Sequence, residues 1–303
     1  MPEVLTQSQI DQYRDTGGLV VEGRLTKGDL AEIHAAIEQS YEEAKGQTES
    51  NARLDFEDSH TADNPRIRRI KLPHTQYDVF KRLMTSDAIL APARDLIGPN
   101  LRLHTTKLNM KMAGYGAAVE WHQDLAFYPH TNDDVLAIGV MIDDMAEENG
   151  PLMIFPGSHR GPTLDHHNGG VFVGAVDLAA NGLDVSNAVT LTGSAGSISI
   201  HHGRVLHGSA LNTSDRDRRI LFYEMMAADS FPVMGSMTGF ASLEEYNERM
   251  LCGEPTIEPR LSDWPVRIPL PQPEARGSIY EIQQGLKHRG FSIYDEPEAA
   301  ADA

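Results

Sequence analysis

Two candidate metal ligands, His122 and Asp124, are separated by one residue in a stretch with strand-like composition. Alternate side chains of an extended strand point to the same face, so both can reach one metal ion. A third candidate, His207, follows a distant apolar run. Two imidazoles and one carboxylate on one face of a site bind non-haem Fe(II) and leave positions open for oxygen and a co-substrate. These residue types therefore predict oxidative chemistry at iron.

The spacing of His122 and Asp124 is weak evidence by itself. A chain of 303 residues with 13 His contains about one His-x-Asp spacing by chance. The alternative interpretation is a solvent-facing histidine followed by an aspartate that ends a strand. For His207 the alternative is a buried histidine satisfied by hydrogen bonds, and His201 and His202 compete for its role. Because adjacent strand residues face opposite ways, at most one of these two competitors points inward.

Arg218 is the candidate anion-binding residue. It follows His207 by 11 residues and begins another apolar, strand-like run. A buried guanidinium at this place can grip a carboxylate through two parallel hydrogen bonds. Arg219 competes with it, since only one of two adjacent strand residues faces the interior, and the offset from His207 favours Arg218. The alternative for Arg218 is an exposed surface side chain.

Taken together, these segments resemble the phytanoyl-CoA dioxygenase family of Fe(II)/2-oxoglutarate-dependent oxygenases. The resemblance covers roughly residues 5 to 228 and is faint beyond them. It rests on the order and spacing of five segments, which are Gly98–Asn100, His122–Asp124, Glu148–Leu152 with Pro156–His159, His207–Ser209 and Arg218. This order is hard to obtain by accident, so the family supplies an interpretation for each ligand.

The resemblance implies that His122, Asp124 and His207 bind iron and that Arg218 pairs with the distal carboxylate of 2-oxoglutarate. Related halogenating oxygenases lack a carboxylate at the position of Asp124 and bind chloride instead, so hydroxylation is expected here. The implied enzyme uses Fe(II), 2-oxoglutarate as co-substrate and O2. It hydroxylates an unactivated C–H bond of a small metabolite and releases succinate and CO2.

Lys71 and Ser209 are further candidates for the co-substrate site. The resemblance places Lys71 near a family position that contacts 2-oxoglutarate. The alternative is a solvated, charged strand formed by the basic run 66–71. Ser209 shares a strand face with His207 and could add a hydrogen bond near the co-substrate, or it could lie unused at a strand edge.

Asn109 is a third candidate, on the predicted strand that starts at Leu101. Lys107 and Lys111 share its face by strand alternation and are equally compatible with the surface. The aromatic residues Trp121, Phe127 and Tyr128 are expected either to wall the substrate pocket or to belong to the core. Residues 161–184 are expected to form either a lid or a disordered surface loop.

The hydrophobic pattern predicts a mainly β protein with flanking helices around a double-stranded β-helix, a cupin-like jelly roll. One domain is expected, with an N-terminal helical region (1–97), a jelly-roll core (98–230) and a C-terminal extension (231–303). Helices are predicted at 8–14, from a capping box at Thr26 and Asp29, at 86–97 and at 242–250. The predicted core strands are 101–112, 117–124, 135–143, 151–155, 170–176, 188–200, 203–210 and 218–228. Residues 46–65 are predicted as a loop and 296–303 as a frayed tail.

The net charge and the cysteine content limit which binding partners and which cellular compartment are expected. The net charge of −18 makes nucleic acid and anionic membrane surfaces poor partners. The single cysteine, Cys252, excludes an intramolecular disulfide and fits a reducing cytoplasm, and no apolar run approaches membrane-spanning length. The expected partner is a small-molecule substrate, amphiphilic or cationic rather than a CoA thioester. The region 231–303 is expected to shape the pocket or to form a homo-oligomer contact.

Two other functions use the same residues. One is a jelly-roll isomerase or hydrolase with Zn²⁺ or Mn²⁺ on the same three ligands, which would not need Arg218. The other is a binding or sensing protein that holds metal without turnover, since a fold does not guarantee activity. Oxygen consumption that requires 2-oxoglutarate separates an oxygenase from both.

Overall fold

The computed structural model describes residues 2–114, 116–234, 240–273 and 278–291, so the tail predicted at 296–303 lies outside the described residues. The helices are α1 (Gln7–Thr16), α2 (Lys27–Ala44), α3 (Asp78–Met84), α4 (Asp87–Ile97), α5 (Leu243–Asn247) and α6 (Ile279–Ile282). The strands are β1 (Gly18–Val21), β2 (Leu54–Phe56), β3 (Ile67–Lys71), β4 (Leu101–Lys111), β5 (Val119–His122), β6 (Val135–Met141), β7 (Met153–Ile154), β8 (His167–Asn168), β9 (Val171–Phe172), β10 (Val189–Thr190), β11 (Ile198–His202), β12 (His207–Ser209), β13 (Arg218–Ala227) and β14 (Met250–Cys252).

Eight of these strands form a double-stranded β-helix. Four of them, in the order β11-β6-β13-β4, lie within an eight-stranded sheet, and the other four, in the order β10-β7-β12-β5, form a second sheet. Along the chain the core strands pass back and forth between the two sheets, which is the topology of a jelly roll. The large sheet is extended by β1 beside β11, and by β3, β2 and β14 on the side of β4. The predicted jelly roll is confirmed.

The large sheet has an apolar face and a polar face. Leu108 of β4 is buried in the main hydrophobic core together with Ile33 of α2 and Phe80 of α3. Its neighbours Lys107 and Asn109 line a cavity instead, because successive strand residues point to opposite faces. The N-terminal helices therefore cover one face of the sheet and leave the other face free to build a polar site.

Two helix boundaries follow local signals in the sequence. The capping box at the start of α2 forms as predicted: Asp29 N donates to Thr26 Oγ1 at 3.1 Å, and Thr26 N donates to the Asp29 carboxylate at 3.0 Å. Gly17 ends α1 in a left-handed conformation with φ 80°, which glycine adopts without steric cost. The chain then enters β1, which pairs with β11 at the edge of the core.

Two predicted core strands need correction. The predicted strand 188–200 is in fact two strands, β10 and β11, which belong to different sheets. The chain turns between them at Gly196, whose φ of 86° interrupts an extended run. The predicted strand 170–176 contributes only β9, which pairs with β8 outside the core sheets.

Short elements were also missed in the flanking regions. The predicted loop 46–65 contains β2, and α3 was not predicted at all. The predicted helix 242–250 ends earlier, with α5, because the chain enters β14 and pairs with β4. Such short elements depend on pairing or packing partners more than on local propensity. Within the described ranges, no helix is both long and apolar enough to cross a bilayer.

We predict that Thr26→Ala lowers the free energy of unfolding by about 1 kcal/mol, because the substitution removes the acceptor that satisfies the first turn of α2. Urea denaturation measures the change. Thr48→Ala, at an exposed position after the same helix, is the matched control and should shift stability by less than about 0.5 kcal/mol. Equal effects of the two substitutions would contradict the role of the cap.

Candidate active site

His122, Asp124 and His207 converge in the interior of the jelly roll. In the pairing of β12 with β5, His207 lies directly opposite His122. The Nε2 atom of each histidine lies 3.7 Å from Asp124 Oδ1, and one potential ligand atom from each residue lies within 4.8 Å of the others. All three residues are buried. The structure thus brings together the three candidate ligands that the sequence predicts.

Backbone carbonyl groups fix the orientation of both imidazoles. His122 Nδ1 lies 2.7 Å from the carbonyl oxygen of Glu120, and His207 Nδ1 lies 2.9 Å from that of Val205. A carbonyl only accepts, so each Nδ1 carries the proton and each Nε2 presents its lone pair to the centre of the cluster. This is the arrangement in which histidine binds a metal through Nε2.

Asp124 reaches the cluster although β5 ends at His122. The intervening Gln123 keeps an extended backbone, with φ −117° and ψ 127°, so the alternation predicted for a strand persists into the following turn. The side chain of Gln123 points away and donates to the carbonyl oxygen of Arg204 at 2.7 Å while accepting from Leu164 N at 2.8 Å. These bonds hold Asp124 on the same side as His122.

His201 is a partner of the cluster that sequence reasoning treated only as a competitor of His207. Its Nε2 lies 3.2 Å from Asp124 Oδ2, the carboxylate oxygen that does not face both ligand histidines. His202 points the other way and packs near Tyr13 and His159. Strand alternation predicts that only one of the two faces inward, and the structure identifies it as His201, which can orient the Asp124 carboxylate.

Burial sets the protonation states that a metal needs. Burial, reinforced by the neighbouring His207, holds the pKa of His122 well below its ordinary value of 6.5, and burial lowers the pKa of His207 to about 4. Burial alone would raise the pKa of Asp124, but the charge of His207 and the hydrogen bond from His201 hold it well below its ordinary value. At neutral pH the cluster therefore offers two neutral imidazoles and one carboxylate.

A cavity adjoins the cluster, and four cationic side chains line it. Among the described residues no carboxylate lines this cavity, whereas His122, His201 and His207 do. The cations are Arg69, Lys107, Lys111 and Arg218. The protein as a whole has a net charge of −18, whereas this cavity is lined by cations. The cavity can therefore attract anionic ligands.

Arg218, which the family resemblance pairs with a carboxylate, lines this cavity. It is only 4% exposed, and its Nη2 donates to the carbonyl oxygen of Gly150. Its Nε has no hydrogen-bond partner among the described residues, and burial lowers its pKa to about 10. Arg219 faces away and makes two hydrogen bonds to Asp143, at 2.8 and 2.7 Å. The structure thus turns Arg218 inward, as predicted.

Lys111 lies opposite Arg218 in the ladder of β4 and β13. Its Nζ donates to Ser209 Oγ at 2.8 Å and to the carbonyl oxygen of Ala210. Burial, with the nearby charge of Arg218, holds the pKa of Lys111 well below its ordinary value. The sequence is compatible with Lys111 either on the face of the strand that carries Asn109 or on the surface. In the structure Lys111 is buried beside Arg218.

Ser209 and Asn109 also line the cavity. The Ser209 hydroxyl accepts a hydrogen bond from Lys111, which fixes the position of its oxygen atom. Asn109 Oδ1 is buried without a hydrogen-bond partner among the described residues. A buried polar atom of this kind is costly unless a ligand or water satisfies it.

The position of Lys71 differs from the prediction, because Lys71 does not line the cavity. Its Nζ lies 2.6 Å from Asp55 Oδ1 and 2.7 Å from the carbonyl oxygen of Asn51. The ammonium group therefore binds these acceptors at the edge of the sheet and does not extend into the interior. Arg69, two residues earlier on the same strand, lines the cavity in its place, and no signal in the sequence distinguished the two.

The aromatic residues near the cluster have different roles. Trp121 is fully buried and packs against Phe155 and Phe291, with ring centroids 4.8 and 5.2 Å away, so it belongs to the core. Phe127 contacts the His122 ring edge to face, with centroids 5.7 Å apart. Tyr128 donates its hydroxyl proton to Glu224 at 3.0 Å.

Residues 161–184 form a packed segment against the site. The strands β8 and β9 make a small hairpin within it, and Phe172 and Val176 are buried. Within the segment His166 Nε2 accepts a hydrogen bond from Gln123 N at 2.9 Å. The interpretation as a disordered loop is therefore wrong, and the segment supports the backbone between His122 and Asp124.

We predict that the metal-free protein loses stability as the pH falls from 6.5 toward 4. Burial lowers the pKa to about 4 for three histidines and to about 3 for two, namely His104, His166, His207, His130 and His202. In this range the unfolded chain binds protons near pH 6.5 while the folded state excludes them, so acid favours unfolding. Urea denaturation should give a free energy of unfolding lower at pH 5.5 than at pH 7.5 by at least about 1.4 kcal/mol. A flat profile over this interval would contradict the neutral, buried state of these imidazoles.

The chain is similar to known oxygenases. The sequence model of the phytanoyl-CoA dioxygenase family (PhyH) matches residues 13–220. The chain is 35% identical over 284 residues to a probable alpha-ketoglutarate-dependent hypophosphite dioxygenase of Stutzerimonas stutzeri, with 92% of this chain and 98% of the relative aligned. It is 32% identical over 175 residues to L-proline trans-4-hydroxylase of Streptomyces griseoviridis, across 51% of this chain and 65% of that relative.

A solved structure has the same fold. EctD from S. alaskensis with 2-oxoglutarate and 5-hydroxyectoine aligns with a TM-score of 0.64 at 22% identity and covers 89% of this chain and 88% of that chain. This likeness supports the jelly-roll architecture. The family match, together with a relative aligned over nearly its whole length, supplies the identity. The chain belongs to the phytanoyl-CoA dioxygenase family and is a 2-oxoglutarate-dependent non-haem iron dioxygenase.

Proposed function

We propose that His122, Asp124 and His207 hold Fe(II), that Arg218 binds 2-oxoglutarate, and that the enzyme oxidises a small anionic substrate. The observation that carries the proposal is the convergence of two imidazole Nε2 atoms and one carboxylate beside a cavity lined by four cations. The residues fit the metal, because both Nδ1 atoms are engaged by carbonyl groups and both Nε2 atoms are directed at one point.

Each residue has a distinct task in this proposal. Bound Fe(II) would supply, with 2-oxoglutarate and O2, the oxidising power that inserts oxygen into the substrate and releases succinate and CO2. His201 holds the second oxygen of Asp124 and keeps the first directed at the metal. The surrounding jelly roll buries all three ligands and so excludes bulk water from the reacting centre.

We assign the distal carboxylate of 2-oxoglutarate to Arg218. Nε of this buried guanidinium has no hydrogen-bond partner among the described residues, and a carboxylate is the acceptor that best matches its fork of donors. Lys111 fixes the Ser209 hydroxyl beside it. Asn109 lies on the same wall with an unsatisfied side-chain oxygen, which can accept from a protonated group or a water of the bound ligand.

Lys107 supports the proposal of an anionic substrate. Its charge is close enough to influence the pKa of His122, Asp124 and His207, so it lies near the proposed metal. Its Nζ is held 2.6 Å from Glu224, which in turn accepts from Tyr128. This cation is separate from the pair formed by Arg218 and Lys111. Glu224 offsets part of its charge, and the remainder can attract an anion toward the metal.

This substrate class replaces the amphiphilic or cationic substrate expected from the sequence, an expectation based on the acidic charge of the whole chain and on the aromatic residues beside His122 and Asp124. The cavity has the opposite charge to the surface, and the cavity is what the substrate meets. The relative from Stutzerimonas stutzeri is named for hypophosphite, a small anion. We therefore propose an oxyanion, such as a phosphinate, phosphonate or carboxylate, as the recognised group.

We further infer a cytoplasmic location. The only cysteine of the chain is Cys252, and its thiol is free. A reducing compartment keeps such a thiol reduced and also keeps iron in the ferrous state that the proposed reaction uses.

We predict that Asp124→Ala abolishes succinate formation from 2-oxoglutarate, because it removes the only carboxylate of the ligand set. Direct titration with Mn²⁺, a redox-quiet substitute for the proposed Fe(II), should show the accompanying loss of metal affinity. Asp215→Ala, which changes an exposed carboxylate outside the cluster, is the matched control. Unchanged turnover in Asp124→Ala would contradict the assignment of the ligands.

We predict that Arg218→Ala raises the KM for 2-oxoglutarate by at least about tenfold, since a charge-assisted hydrogen-bonded pair is lost. Arg218→Lys should recover only part of the affinity, because an ammonium group cannot donate two parallel hydrogen bonds. Initial rates of succinate formation as a function of 2-oxoglutarate concentration measure both. A KM that stays at the wild-type value in Arg218→Ala would place the co-substrate elsewhere.

The substrate class is tested with compounds that carry an anionic group and with partners that lack it. Methylphosphonate is compared with dimethyl methylphosphonate, and L-proline is compared with L-prolinamide, whereas hypophosphite is tested without a partner. We expect at least one compound with an anionic group to stimulate 2-oxoglutarate decarboxylation, and the partners that lack the group to be at least about tenfold weaker. Stimulation only by compounds without an anionic group would contradict an anionic substrate.

A further inference from the structure

The C-terminal residues 278–291 lie beyond the part of the chain that matches the family, which ends at residue 220. They include α6 and pack against β5, the strand that carries His122. The sequence predicts that this region either shapes the pocket or forms an oligomer contact. The hydrogen bonds of the segment place it at the active site.

Gln283 binds both backbone groups of Glu120. Its Oε1 accepts from Glu120 N at 2.9 Å, and its Nε2 donates to the carbonyl oxygen of Glu120 at 3.3 Å and to that of Gly174 at 2.9 Å. The same Glu120 carbonyl accepts from His122 Nδ1 at 2.7 Å. Gln283 is only 4% exposed, so this buried amide directly supports the group that orients a proposed iron ligand.

Further buried contacts hold the segment in place. Gly290 N donates to the Glu120 carboxylate at 2.8 Å. Phe291 stacks on Trp121, with ring centroids 5.2 Å apart and planes 18° from parallel, and Leu286 is buried in a small apolar cluster. These contacts anchor the part of the segment that follows α6.

Two residues of α6 line the cavity. Ile279 and Tyr280 line it together with Arg218. The Tyr280 ring is held by two guanidinium groups, those of Arg68 and Arg69, whose carbon atoms lie 4.6 and 5.4 Å from the ring centroid. Such cation–π contacts fix the plane of the ring. Tyr280 is also close enough to Arg218 to oppose electrostatically the effect of burial on its pKa.

From these contacts we infer that residues 278–291 form a wall of the catalytic cavity, in which Tyr280 contacts the bound co-substrate and Gln283 is a positioning residue for His122. This inference rests on the proposed placement of 2-oxoglutarate at Arg218 and of iron at His122. Tyr280 closes the Arg218 end against water, and Gln283 holds the carbonyl oxygen that keeps His122 Nε2 directed at the metal. The segment thus contacts both the proposed co-substrate site at Arg218 and the backbone that orients His122.

The role of Tyr280 is tested by two substitutions with different consequences. Tyr280→Ala opens the wall, and we expect the KM for 2-oxoglutarate to rise about tenfold and the fraction of 2-oxoglutarate consumed without substrate oxidation to increase. Tyr280→Phe keeps the contacts of the ring with Arg68 and Arg69 and should have a smaller effect on both quantities. Tyr77→Phe, which changes a hydroxyl bonded to Glu43, is the matched control.

The role of Gln283 is tested by metal binding, measured without turnover. Gln283→Glu replaces the donor that faces two carbonyl oxygens with an acceptor, so we expect the Kd for Mn²⁺ to rise about tenfold, with a smaller change in the KM for 2-oxoglutarate. Gln272→Ala, which alters a glutamine bonded to the carbonyl oxygen of Pro269, is the matched control. Rescue in Gln283→Asn is not expected, because the shorter side chain cannot span both groups of Glu120.

Limited proteolysis of the unaltered protein tests the wall directly. Trypsin can cleave after Lys287 and Arg289, which are exposed. We expect 2-oxoglutarate added with Mn²⁺ to slow this cleavage, relative to Mn²⁺ alone, because the ligand stabilises the closed wall. Equal rates of cleavage would overturn the inference even if a substituted protein did not fold.

The outcomes separate the inference from the proposed function. If the unaltered protein shows no 2-oxoglutarate-dependent turnover with any substrate, the placement of the co-substrate fails and the inference fails with it. If the unaltered protein is active, while Tyr280→Ala and Gln283→Glu fold and retain its KM, coupling and metal affinity, only the inference is overturned.

Discussion

The antiparallel pairing of β5 with β12 is the constraint on which the site depends. It places His207 opposite His122, with ring centroids 4.1 Å apart, although 84 residues separate them in the sequence. Each imidazole is then oriented by a carbonyl group two residues earlier in its own segment. A slip of one residue in this register would turn one imidazole to the opposite face, so strand pairing sets the ligand geometry.

The second organising feature is the separation of polarity across the large sheet. One face of β4 contributes Leu108 to the core beneath the helices, while the other contributes Lys107 and Lys111 to the cavity. Burying cations is costly unless hydrogen-bond acceptors or anions compensate. Carbonyl oxygens engage Lys111 and Arg218, and the cavity they line has a charge complementary to 2-oxoglutarate.

Support for the proposed ligands His122 and Asp124 comes from parts of the chain far apart in sequence. The segment 161–184 binds the backbone between His122 and Asp124 through His166, and the C-terminal segment binds the backbone before His122 through Gln283. Ligand orientation in metal sites depends on such outer contacts. The stretch 120–124 is therefore held on both sides by segments that are not core strands.

Strand alternation and turn residues are local properties, so the sequence by itself predicted the jelly-roll architecture and the shared face of His122 and Asp124. The metal-binding roles of these residues and of His207, and the preference for Arg218 over Arg219, were predicted from spacing along the chain and from the family resemblance. The sequence did not determine that His201 binds Asp124, that Asp55 draws Lys71 away, or that residues 188–200 divide between two sheets. Nor did it place Tyr280 and Gln283 at the site. Those features depend on which distant segments meet, and contacts between distant segments are set by the packing of the whole chain and leave no periodic signal in the sequence.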